Sequence, residues 1–162
     1  MKVLSIDPSS SAIGFAYFEN DLPIFCETFK PKGDTLIDRM QPIVVRIMYF
    51  INLYHPDFVA VETPYMGLNR STSVKMGQIF GFVCAAMVMS GIMSDKILQI
   101  HPMTVKKAAG LETKEKRTYG KEFVLHAMHE RFPFLKIEDD NSSDALAIGL
   151  AGINILKEAK KE

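Results

Sequence analysis

Residues 2–19 read KVLSIDPSSSAIGFAYFE, and they decide the fold. Residues 2–6 are nearly all apolar, and the run stops at a carboxylate, Asp7. Such an unbroken apolar run predicts a central strand covered on both faces. Pro8-Ser9-Ser10-Ser11 is a turn. Residues 12–19 (AIGFAYFE) and 23–29 (PIFCETF) predict two further strands, and Asn20-Asp21 between them signals a hairpin. Three strands in an antiparallel meander follow.

Lys30-Pro31-Lys32-Gly33 ends the meander, and a helix is expected from Thr35 to Tyr54. Thr35 and Asp38 have capping-box spacing. Leu36, Met40, Ile43, Val44, Ile47, Phe50 and Ile51 recur at helical spacing. His55-Pro56 stops that helix. Residues 57–62 (DFVAVE) predict a second buried strand, again ending in a carboxylate, Glu62. A loop over 63–70, a helix over 73–91 and a short strand over 96–100 come next. A helical stretch over 101–109 is closed by Gly110. A long helix is expected over 114–131, a linker over 133–140, and a last helix from about Ser142. The order β-β-β-α-β-α-β-α-α-α is mixed α/β, and its crossover units favour parallel pairing.

The chain has 162 residues, which suits a single domain over 1–162. At this length roughly 70% of the unfolded surface can be buried, enough for a core without staples. Its 48% hydrophobic and 23% charged residues are typical of a soluble globular protein. Cys26 and Cys84 stand far apart in apolar surroundings. They read as buried thiols of a reducing compartment, and a cytoplasmic location is expected. The N-terminus reads as a first strand, not a signal peptide. From Met76 to Ser94 no residue is charged, a length close to a membrane span. Gln78, Ser90 and three glycines argue against a span, as does the position between two strands. A helix apolar on nearly all sides is expected to lie on the sheet and against a partner subunit.

Net charge is zero, with 19 basic and 19 acidic residues, so any nucleic-acid contact must come from a local patch. Met103 to Lys121 is such a patch, with six basic residues against two acidic ones.

Asp7 and Glu62 end apolar strands at their C-terminal ends, the edge of an α/β sheet where ligands bind. One reading is only that each strand meets water there. The third element is residues 140–147, DNSSDALA. Read structurally, Asn141 is a helix N-cap with Asp144 at the third helical position, both favoured at the positive end of a helix. Read functionally, Asp144 and a group one turn earlier project toward Asp7 and Glu62. Three converging carboxylates with no cationic neighbour would repel one another and raise their pKa values. An all-oxygen set suits Mg²⁺ or Mn²⁺ and not Zn²⁺. Two such ions about 4 Å apart could clamp a phosphodiester between attacking and leaving oxygens. No nucleophilic triad is evident. His126 and His129 lie one turn apart without a matching acid and read as surface or interface residues.

Three blocks resemble the RuvC family of Holliday-junction resolvases: IDPSSSAIGFA, VETPYMGLNRSTSVKMGQIFGFVCAAMV and DNSSDALAIGLA. With the lysine-bearing HPMTVKKAAG, they span almost the whole chain in the family's order. The resemblance implies an RNase H-like five-stranded mixed sheet with helices on both faces. It implies a metal-dependent endonuclease acting on four-way or other branched DNA as a homodimer. Its metal-binding catalytic positions fall on Asp7, Glu62, Asp144 and Asn141. An aspartate is usual at the last, and neighbouring Asp140 is the alternative. Tyr65 falls where the family carries an aromatic that stacks on bases, and Lys106 or Lys107, Lys116 and Arg117 would meet phosphates. Other readings stay open: a debranching nuclease of relaxed substrate range, a non-catalytic junction-binding module, and a nucleotide-binding domain related to actin-like ATPases and sugar kinases.

Overall fold

A computed structural model describes residues 1–64, 69–110 and 121–161. The elements run β1 (Lys2–Asp7), β2 (Ile13–Glu19), β3 (Leu22–Phe29), α1 (Leu36–Tyr54), β4 (Phe58–Glu62), α2 (Arg70–Met89), β5 (Ile97–Ile100), α3 (Pro102–Ala108), α4 (Lys121–Arg131) and α5 (Asp140–Glu158), with a single 3-10 turn at Ser94–Lys96 before β5. The five strands form one sheet in the order β3-β2-β1-β4-β5. β1 pairs antiparallel with β2 and parallel with β4, so the first apolar run is the centre of a mixed sheet. The β2–β3 hairpin turns through Asn20 (φ 50°) and Asp21 (φ 69°), the left-handed pair that a tight turn between right-twisted strands requires.

Strand parity divides the core in two. Leu4 and Ile6 face α1 and α2, together with Ile13, Phe15, Val59 and Val61. Val3 faces the other way, with Ala16, Phe18 and Ala60, toward α3, α4 and α5. The sheet therefore carries helices on both faces. α1 begins with a capping box, Thr35 and Asp38 each bonding the other's backbone. α5 lies close against the sheet because Gly149 leaves room for the Phe18 ring, which any side chain at 149 would overlap.

Two helix starts differ from the sequence expectation. α2 begins at Arg70, three residues earlier than expected, because the Asn69 side chain accepts from Thr72 N at 3.2 Å. α5 is capped by Asp139, not Asn141. Asp139 and Ser142 form the capping box, which places Asp140 and Asn141 at the first and second helical positions and moves Asp144 into the second turn. Asp139 prevails because β3 also holds it: Thr28 Oγ1 donates to its carboxylate, and Lys30 Nζ is 3.5 Å away. Of the helix expected over 114–131, residues 114–120 lie outside the described residues. His126 does have an acid beside it: its Nδ1 is 3.5 Å from Glu130, and both side chains are largely exposed.

Candidate active site at the strand ends

Parity and register bring two acids together. Asp7 follows Val3 and Ser5 on the α5 side of β1, and Glu62 follows Ala60 on the same side of β4. The parallel register runs Ser5↔Ala60 and Ile6↔Val61, and its next step sets Asp7 beside Glu62. Both line one cavity of about 290 Å³, with Pro8 and Thr63 on the strand-end side and Met76, Phe80 and Pro102 as an apolar wall.

α5 supplies the third acid. Asp7 pairs across the hairpin with Gly14, and the Asn141 carbonyl occupies the space that a side chain at 14 would fill. One turn on, the Ser5 hydroxyl lies 2.7 Å from the Ala145 carbonyl. The first turns of α5 therefore cross the sheet at the level of Asp7. Asp144 stands close enough to Glu62 to act on its charge. The Glu62 carboxyl is pushed up to about 7, first by burial and then by the Asp144 carboxylate, with Lys106 pulling the other way. The expectation that no cation neighbours the carboxylates is thus corrected. α3, opened by Pro102 and capped by the His101 ring, which accepts from Met103 N, carries Lys106 to the site.

Of the residues singled out from sequence, Asp7 and Glu62 line one cavity, and Asp144 and Lys106 lie near enough to act on the Glu62 charge. Asp140 and Asn141 stand in the adjacent first turn of α5, and Lys107 is exposed in the last turn of α3. Tyr65, Lys116 and Arg117 lie outside the described residues. Sequence reasoning passed over Thr63, whose hydroxyl is 3.3 Å from the Ile100 carbonyl, and the wall of Met76 and Phe80. The spacing of four between those two on α2, just after the loop that follows Glu62, was the available signal.

The donors fit a hard divalent cation. They are all oxygens, and Glu62 and Asp144 carry a mutual repulsion that a cation would relieve. The set is not drawn into a finished cage: among the described residues, no three His, Cys, Asp or Glu side chains are grouped so as to hold a metal ion.

Comparison with known proteins places this geometry. Crossover junction endodeoxyribonuclease RuvC of Hahella chejuensis is 27% identical over 158 residues, covering 95% of this chain and 88% of that protein. The Trichlorobacter lovleyi protein of the same name is 29% identical over 159 residues, covering 95% and 85%. Among solved structures, T. thermophilus RuvC in complex with Holliday junction substrate superposes with a TM-score of 0.77 at 23% identity, covering 98% of this chain and 96% of that one. The fowlpox virus resolvase, solved with its substrate Holliday junction DNA, gives 0.58 at 13% identity, covering 96% and 99%. These likenesses establish the RNase H-like fold expected above. Nucleases of this family are metal-dependent. The family described as crossover junction endodeoxyribonuclease RuvC matches residues 3–152, from β1 well into α5, and the chain belongs to that family of DNA-cutting enzymes.

Proposed function

We propose that this chain cuts Holliday junctions, or closely related branched DNA, by hydrolysing phosphodiester bonds in the presence of Mg²⁺, with Mn²⁺ able to substitute. The observation that carries this reading is the shared cavity of Asp7 and Glu62, with Asp144 close enough to raise Glu62. Asp7, Glu62 and Asp144, completed by Asn141 or Asp140, would hold the cation, which when bound supplies Lewis-acid activation of water and of the phosphate. Glu62 keeps its proton near neutral pH while the site lacks a cation, and it gives that proton up when one binds. Lys106, beside Glu62, neutralises charge on the phosphate at the cut. The apolar wall of Met76 and Phe80 excludes water from the side of the site facing α2. Lys107, Lys116 and Arg117 contact flanking phosphates, and Tyr65 stacks on an unpaired base, a contact worth about 1–3 kcal/mol.

The protein acts as a homodimer in the cytoplasm, with α2 at the interface. α2 is apolar and long enough for a membrane span, and only 28% of that stretch is buried within the chain, which leaves an apolar face for a partner to cover. Its exposed face carries Val74, Gly77, Gly81, Ala85 and Val88 at helical spacing. Nothing in the described chain lies within 4 Å of where a side chain at 77 or 81 would begin. A glycine inside an exposed helix costs roughly 1 kcal/mol relative to alanine, so a benefit outside the single chain explains both. Two such helices can approach closely across a two-fold axis, which matches the symmetry of a four-way junction.

The test is cleavage of a synthetic four-way junction beside linear duplex, with Mg²⁺ and with chelator. Paired nicks in the junction alone, and with metal alone, are expected. Equal cutting of the duplex contradicts junction selectivity. Junction binding without cutting in Mg²⁺ or Mn²⁺ identifies a binding module instead.

A further inference from the structure

We propose that the Ser5 hydroxyl is a positioning group that fixes the separation between the strand bearing Asp7 and the helix bearing Asp144. The inference rests on the nuclease reading above. Ser5 is fully buried, a polar residue inside the central strand with Leu4 and Ile6 on either side. It stands two residues before Asp7 and faces the same way, toward α5. Its Oγ lies 2.7 Å from the Ala145 carbonyl on α5 and 3.1 Å from the Ala16 carbonyl on β2. Ala145 follows Asp144 directly, and Ala16 is the cross-strand partner of Ser5 itself. The hydroxyl therefore joins the two elements one residue from Asp144 and two from Asp7.

The bond is not needed to satisfy the groups it joins. The Ala145 carbonyl lies inside a continuous helix and has a helical N–H to accept from. The hydroxyl has a second acceptor in Ala16. What the shorter contact adds is a fixed distance. The layer around it consists of small residues, Ala16, Ala60 and Ala145, so strand and helix approach closely. A hydroxyl bridges such a gap, and a methyl group does not. The close approach of Asn141 to Gly14 and the bond of Thr28 to Asp139 hold the start of α5 on the β2 and β3 side. Ser5 supplies a hydrogen bond to α5 from β1, the strand that ends in Asp7.

Groups behind a metal's ligands typically change metal affinity or activity by about 10–100-fold when removed. The experiment compares wild type with Ser5→Ala, with Ser5→Cys, and with Ile148→Val as a control in the same buried layer. Mn²⁺ binding is measured by calorimetry without DNA. The Mg²⁺ concentration for half-maximal junction cleavage and junction affinity in chelator are measured beside it. Ser5→Ala and Ser5→Cys should weaken Mn²⁺ binding and raise the Mg²⁺ midpoint by roughly tenfold or more, with junction affinity in chelator unchanged. Ile148→Val should lower the melting temperature and leave both metal readouts in place. If Ser5→Ala does not fold, Ser5→Cys, which fills the site with a slightly larger group that donates only weakly, is read in its place. Unchanged metal readouts in either Ser5 variant, or an equal shift in Ile148→Val, overturn the proposal. Wild type that binds Mn²⁺ but cuts nothing sinks the nuclease reading alone, because the calorimetric comparison still reports on Ser5. Wild type that binds no Mn²⁺ overturns both.

Discussion

The carbonyl of Asn141 stands over Gly14, in the space where any other residue would place its Cβ. Gly14 is also the cross-strand partner of Asp7. The bare α-carbon thus lets the helix with Asp144 come down beside the strand with Asp7. Gly14→Ala should push the first turn of α5 outward. Overpacking of this kind costs about 1–3 kcal/mol, readable as a lower denaturation midpoint. A misplacement near 1 Å can cost about 100-fold in rate, so junction cleavage should fall by more than the loss of stability explains. Wild-type cleavage in Gly14→Ala would show that the close approach is not needed for the site.

Glu62 makes the stability of the metal-free protein depend on pH. Its ordinary value of 4.5 is raised to about 7 by burial and by Asp144. The folded state therefore keeps a proton that the unfolded chain releases over this window, and stability falls as pH rises from about 4.5 to about 7. Glu62→Gln should flatten that slope. Thermal melts of both proteins in chelator across this range check it, and identical slopes would contradict the placement of Glu62. A cation competes with the same proton, so the Mg²⁺ concentration needed for cleavage should fall as pH rises through about 7.

Asp139 combines the cap of α5 with a tie to β3. Asp139→Ala removes the capping box and the contacts with Thr28 and Lys30. The expected loss is about 1–2 kcal/mol of stability. Asp139→Asn keeps a good cap and loses the charge toward Lys30, which is largely exposed, so it should stay within about 0.5 kcal/mol of wild type. Urea denaturation of the two variants separates cap from charge. Equal losses would assign the stability to the ion pair.

Gly81 tests the paired helices. A Cβ at 81 would have no described atom within 4 Å, and arginine improves helix propensity over glycine. Gly81→Arg should nonetheless convert a dimer to a folded monomer, seen by light scattering at micromolar concentration with unchanged circular dichroism. A wild type that is already monomeric, or a dimeric variant, would remove α2 from the interface.

What the sequence made legible was local. The unbroken run before Asp7, the Asn20-Asp21 turn and the Thr35–Asp38 capping box each involve residues a few positions apart, and each forms as its chemistry predicts. Asp7 and Glu62 were readable because a carboxylate closing a buried strand has nowhere to go but the rim. The start of α5 was misread because Asn141 and Asp139 are both good caps by local rules. The choice between them is made by Thr28, 111 residues away. The effect of Lys106 on Glu62 was likewise out of reach of local reasoning, because it depends on the parallel β4–β5 register that carries α3 to the end of β4.

The most direct test is Asp7→Asn, assayed for cleavage of a synthetic four-way junction with Mg²⁺ and for junction binding in chelator. If the acids at the strand ends and the start of α5 form one metal-dependent site, cleavage disappears while binding stays at the wild-type level. Cutting at the wild-type rate by Asp7→Asn would contradict the account.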